Sequence, residues 1–172
     1  MSEYPWIVEA EMSAPGVKVQ IRTGYWSVRD PVDRYDSEYV LSLLLASPRD
    51  YGYGRPMSGR FARLGAMNFI PVEVPLQFLG KIPGIRRQVR CVFDRNRFEA
   101  LVGHDVDWYE ERLQACFDVR NSQLDRAIRR LAEEVLAPGL GCETLVEGLG
   151  LAMMADLTRY LERPVLPDAP PP

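Results

Sequence analysis

Residues 121–162, NSQLDRAIRRLAEEVLAPGLGCETLVEGLGLAMMADLTRYLE, decide how the chain is read. In the first part Leu124, Ala127, Ile128, Leu131 and Val135 recur at three- and four-residue spacing, while Arg126, Arg129, Arg130 and Glu133 fall on the opposite side. That is the period of an amphipathic helix. Ser122 is placed to cap it, Asp125 falls in its first turn, and APGLG ends it. A second helix is predicted from Cys142 or Glu143, carrying Leu145, Leu149, Ala152, Met153, Leu157, Tyr160 and Leu161, with Val146 and Met154 widening its apolar arc. The simplest use of both stripes is to close a β-core. One stripe suffices for packing on the first helix, so the surplus predicts a homodimer interface at Leu145, Leu149, Met153, Leu157 and Tyr160.

Beyond this hairpin, residues 163–172 read RPVLPDAPPP, with prolines at 164, 167, 170, 171 and 172. Proline cannot donate to a ladder and favours extended geometry, so the segment reads as a semi-rigid linker.

Before Asn121 the pattern changes from a helical period to short alternating runs broken by Gly and Pro. Val17, Val19, Ile21 and Tyr25 fall on one face of a strand, and Lys18, Gln20 and Arg22 on the other, which predicts a strand half in water. Tyr39–Ala46, YVLSLLLA, is short and apolar on both faces, as in a central strand covered on two sides. The glycine-broken YGYGRPMSG separates this strand from the next pattern. Further strands are predicted at IVEAE, from Arg60 to Ile70 and from Arg86 to Phe93. No crossover helix separates these segments, so residues 1–120 form an antiparallel sandwich or barrel rather than a parallel sheet. Asp94 is placed to cap a short helix through Phe98, Leu101 and Val102 that stops at Gly103, and WYEERL is read as helical with CFDV extended.

Composition narrows the class. The 172 residues are 47% hydrophobic and 26% charged, within the globular range. With no basic region leading into a long apolar run, neither a signal peptide nor a membrane span is expected, which points to a cytoplasmic protein. Cys91, Cys116 and Cys142 are far apart and odd in number, against a disulfide framework or a thiolate zinc site. The net charge of −3 is the wrong sign for a chain that itself grips phosphate backbone. Charge is uneven, however: the stretch Arg55–Arg97 holds nine basic residues against Glu73 and Asp94. An acidic ligand or partner would exploit that excess, and solvated strand faces would also explain it. Only Lys18 and Lys81 among the 21 basic residues are lysine, an arginine bias common in GC-rich bacterial genes.

From Gly59 to Gly80, GRFARLGAMNFIPVEVPLQFLG, then through RRQVRCVFDRNRFEAL and the helix pair, the chain resembles the N-terminal domain of AraC-family transcriptional regulators. The shared layout is a glycine-led strand, a P-x-x-x-P turn at Pro71–Pro75, a strand ending at Phe93 and Asp94 with a short helix after it, and two helices leading into a linker. The resemblance covers about Phe61 to Leu161. It implies a cupin-like antiparallel β-barrel or jelly roll, mainly β with C-terminal helices, that binds an unknown small-molecule effector, and a hairpin at 121–162 that dimerises. It further implies a helix-turn-helix DNA-binding domain beyond the 163–172 linker. The family gives no residue motif for the effector.

Candidate pocket residues are therefore taken from the predicted strands by their ability to hydrogen-bond or stack: Arg22, Tyr25, Trp26, Tyr39, Arg63, Gln88 and Arg90. A one-residue slip in register turns each of them outward. Cupin-like barrels also serve as metal enzymes, which need several converging His and carboxylate ligands. This chain has one histidine, His104, in a GHD loop, and carries no nucleophile elbow, P-loop or dinucleotide fingerprint. A non-enzymatic protein without metal or cofactor is expected; the alternatives are a stand-alone cupin-like enzyme and a dimerisation module without effector.

Overall fold

The computed structural model describes residues 6–27, 31–46, 48–103 and 106–166. His104 and the tail prolines from Pro167 onward lie outside these residues. The described strands are β1 (Ile7–Ala14), β2 (Val17–Trp26), β3 (Val32–Arg34), β4 (Tyr39–Leu44), β5 (Gly52–Pro56), β6 (Ala62–Arg63), β7 (Met67–Ile70), β8 (Leu76–Gly80) and β9 (Gly84–Phe93). The helices are α1 (Arg95–Val102), α2 (Glu110–Cys116), α3 (Ser122–Leu136) and α4 (Cys142–Glu162).

Every strand pairing is antiparallel. One sheet runs β1-β2-β9-β4-β7 and the other β3-β8-β5-β6. The strand expected at Arg60–Ile70 is two strands, β6 and β7, in different sheets, because the chain crosses between layers at Leu64–Ala66. The glycine-broken segment expected to separate strands itself contains strand β5. Its glycines serve close approach rather than a turn: a Cβ on Gly54 would stand 2.4 Å from the Phe117 ring, which packs over that point.

The alternation of β2 is present: on its polar side Lys18 is exposed, as expected, while Gln20 and Arg22 are half-buried. Val17, Val19 and Ile21, with Leu41, Leu43, Val89, Cys91 and Phe93, form the face covered by α3 and α4, in one core with Leu124, Ile128, Leu131, Val146, Met153 and Leu157. Burying each such side chain contributes about 1.5 to 3 kcal/mol, which fixes the hairpin to the sheet. The opposite face of this sheet looks toward the second sheet, where Val40, Leu44, Ile70, Leu76, Phe78 and Phe117 form a second core. All six residues of β4 are buried, as expected, with helices on one face and the second sheet on the other.

Helix α1 has the predicted cap: the Asp94 carboxylate accepts from Arg97 N at 2.9 Å, and the helix stops at Gly103 with φ 81°. Arg95 on this helix forks onto Glu73 at 2.8 and 3.2 Å and reaches Glu99 at 2.9 Å, tying α1 to the Pro71–Pro75 turn. The cap of α3 is Asn121, not Ser122; its Oδ1 accepts from Gln123 N at 2.9 Å and Leu124 N at 3.0 Å. Asn121 has extended geometry, φ −143° and ψ 115°, whereas Ser122 is already the first helical residue. The five-residue connection to α4 folds the pair back antiparallel.

The predicted dimer stripe is spent inside the subunit. Met153 and Leu157 are 0% exposed and Tyr160 is 6% exposed, while Leu145 and Leu149 are half-buried. The Tyr160 hydroxyl donates to Ala115 O at 3.0 Å, locking the end of α4 onto α2. No described helix is long and apolar enough to cross a membrane.

Candidate functional site

Between the sheets, at the end where β2, β3, β8 and β9 meet, lies a cavity of about 120 Å³. Register explains its lining. On β9 the side chains of Arg86, Gln88 and Arg90 alternate with Val89 and Cys91 of the helix-side core, so the polar set points between the sheets. Gln88 lies opposite Arg22 of β2 and Leu44 of β4, and Arg90 lies opposite Gln20 and Ser42. From the facing sheet Val32, Arg34, Phe78 and Gly80 line the same space. The lining also includes Leu64, Asn68 and Ile70, and its exposed members Tyr25 and Val32 mark the mouth.

Four of the seven residues expected in the pocket line this cavity: Arg22, Tyr25, Trp26 and Gln88. With its amide oxygen turned toward Arg22, Gln88 accepts from the Arg22 guanidinium, which also lies 4.5 Å over the Trp6 ring. Trp26 meets Tyr51 edge-on at 5.9 Å, and its indole is accommodated because residue 80 is glycine, where a Cβ would be 2.1 Å from Nε1. The other three stand elsewhere. Tyr39 is on the helix-covered face, 4.3 Å from Phe98 and stacked on Phe69 at 6.0 Å, because alternation along β4 sends Val40, Ser42 and Leu44 inward instead. Arg63 pairs with Asp50 at 2.7 Å on β6. Arg90 does face between the sheets, but outside the cavity lining, where it pairs with Asp36 at 3.3 Å; burial lowers its pKa and Asp36 opposes that.

Sequence reasoning missed Trp6, Arg34, Ser42, Tyr51, Asn68 and Phe78. Ser42 had a signal, as the one polar residue inside YVLSLL. Tyr51 and Asn68 had none: their side chains meet at Gly65, whose carbonyl accepts from Tyr51 Oη at 2.9 Å and from Asn68 Nδ2 at 2.9 Å. Burial pushes the Tyr51 phenol up to about 12, so it is a neutral donor at physiological pH. Cys91 and Cys116 are buried in the core as small hydrophobes, and burial raises both thiols. Among the described residues no group of three or more His, Cys, Asp and Glu side chains is arranged to hold a metal ion.

No protein-family model matches this chain, and no curated protein matches its sequence. Among solved structures, that of the AraC-like transcriptional activator CuxR aligns with 94% of this chain at TM-score 0.58 and 9% identity. This chain spans 57% of the length of that one. A cupin domain from Bordetella pertussis Tohama I aligns with 55% of this chain and 98% of its own length, at TM-score 0.37 and 12% identity. HppE, as its cobalt(II) form with Tris buffer, aligns over 54% of this chain and 55% of its own, at TM-score 0.36 and 14% identity. The CuxR alignment extends through both sheets and both long helices, so the expected likeness holds at the level of fold. The chain has two facing antiparallel sheets joined to a two-helix hairpin, and it shares the fold of the AraC-like activator's structure.

Proposed function

We propose that this chain is the regulatory part of an AraC-type transcription factor, in which the barrel cavity binds a small-molecule effector and DNA is recognised by a domain outside this chain. One observation carries the reading: the barrel and the hairpin together, not the barrel alone, share the fold of an AraC-like activator over 94% of this chain. The cavity adds support, since it combines an apolar wall with a few converging polar groups, the usual make-up of a small-ligand site. In this reading the protein is not an enzyme and uses no metal or cofactor.

The hairpin would transmit the effector signal because it packs on the same sheet whose other face lines the cavity. Val89 and Cys91 touch the helical core, while Gln88, between β2 and β4 in the same strand, faces the ligand space. A homodimer remains part of the proposal, with its surface moved. Since Met153, Leu157 and Tyr160 are consumed internally, the apolar groups left on the hairpin are Leu136, Leu140 and Leu151, of which Leu140 is fully exposed. An effector acts only by favouring one arrangement of this assembly over another.

Sedimentation equilibrium and a thermal-stability screen of acidic, sugar-like and aromatic compounds test the reading. A dimer whose unfolding temperature rises with one compound class is expected. A strict monomer indifferent to all of them would overturn it.

A further inference from the structure

We propose that the cavity takes an uncharged single-ring compound carrying a hydroxyl group, with the hydroxyl held between Ser42 and Asn68 and the ring against Ile70 and Phe78. This rests on the effector-binding reading above and names the chemical class of the effector. Ser42 on β4 and Asn68 on β7 are register partners. Leu41, Leu43, Met67 and Phe69 beside them belong to the helix-side core, so alternation points both polar side chains between the sheets, where both line the cavity. Side chains directly opposite on neighbouring strands stand about 5 Å apart at Cβ, close enough for one ligand group to touch both.

Each of the two has hydrogen-bonding capacity that the fold leaves unused. Ser42 is 6% exposed and lies on a strand between β9 and β7, yet among the described residues none bonds its hydroxyl. A buried polar group without a partner costs free energy, so a hydroxyl at such a place is expected to meet one. The Asn68 amide is oriented by its nitrogen, which donates to Gly65 O at 2.9 Å and to Phe117 O at 3.4 Å. Its Oδ1 is thereby left as an acceptor, and no described residue donates to it. An acceptor beside a hydroxyl calls for a group that both donates and accepts. A ligand hydroxyl gives its proton to Asn68 and takes one from Ser42, whereas an ionised carboxylate or an ether has no proton to give. Size limits the enclosed part to one ring: about 120 Å³ is close to the roughly 150 Å³ of an engineered apolar cavity that takes up benzene.

The test titrates the unaltered protein calorimetrically with phenol, anisole and benzoate. Phenol is expected to bind about tenfold or more tighter than anisole, which accepts but cannot donate, and tighter than benzoate. Ser42→Ala breaks no hydrogen bond among the described residues, so it should keep the urea midpoint while weakening phenol binding about fivefold or more. Phenol affinity unmoved by Ser42→Ala, equal binding of phenol and anisole, tighter binding of benzoate, or no phenol binding below about 10 mM overturns the proposal. The comparison on unaltered protein needs no variant, so it holds whatever Ser42→Ala does to folding. A compound of another class that binds and shifts the mass in solution leaves the effector reading standing and removes the hydroxyl compound. Phenol that binds with the expected preference but leaves the assembly unaltered keeps the site and removes its regulatory role.

Discussion

Arg22 and Gln88 are register partners across the β2–β9 ladder, and their side chains meet inside the barrel, with the Gln88 oxygen accepting from the guanidinium. Gln88 is 7% exposed, so this contact is made almost out of water. The contact holds the guanidinium at the cavity wall.

Gln88→Leu removes the acceptor and should cost about 1.5 to 3 kcal/mol in urea unfolding, the range for losing a hydrogen bond to a charged group. Gln88→Glu keeps an acceptor but places a carboxylate at the cavity wall. It should fold with a urea midpoint closer to that of the unaltered protein than Gln88→Leu does.

Gly54 and Phe117 are coupled by contact. A Cβ at residue 54 would lie 2.4 Å from the Phe117 ring, so Gly54→Ala forces a shift and should destabilise by about 1 to 3 kcal/mol. Phe117→Ala alone should cost about 3 to 5 kcal/mol, since the ring is fully buried. In the double variant the Gly54 penalty should largely disappear, and a double-mutant cycle in urea measures that coupling.

The hairpin's start distinguishes two adjacent polar residues. Asn121→Ala should lose about 0.5 to 2 kcal/mol, because its carboxamide oxygen takes two backbone N–H groups. Ser122→Ala should change stability by less than about 0.5 kcal/mol. The two urea midpoints, measured side by side, decide which residue is the cap.

Much of this was legible in the sequence, because helical period and cap chemistry are local. The hairpin, α1 with Asp94, and the alternation of β2 and β9 all follow from spacing alone. Alternation tells which residues share a face, but not which layer covers that face. The polar side of β2 was therefore assigned to water, which holds for Lys18, whereas Arg22 on the same side lines the cavity and the helices cover the apolar side. The same gap sent Tyr39 to the pocket and Met153, Leu157 and Tyr160 to a dimer surface. The β5 glycines were read as a break between strands because the reason for Gly54, the ring of Phe117, is more than sixty residues away in sequence.

Alkaline pH should expose the buried phenols. Burial raises Tyr39, Tyr51 and Tyr160 each to about 12, above the ordinary value of 10.0. A folded-state pKa above the unfolded one means that the unfolded chain gives up the proton first. The stabilisation is then complete below pH 10 and is lost as pH rises toward about 12. Unfolding midpoints measured from pH 8 to 11.5 should fall along this limb, and Tyr51→Phe should make the fall shallower.

The central claim, that this barrel and hairpin regulate a DNA-binding protein, meets its most direct test in the gene's reading frame beyond Pro172. The account predicts that the frame continues through the proline-rich linker into two helix-turn-helix units. A stop codon directly after Pro172 would contradict it and return the chain to a free-standing barrel.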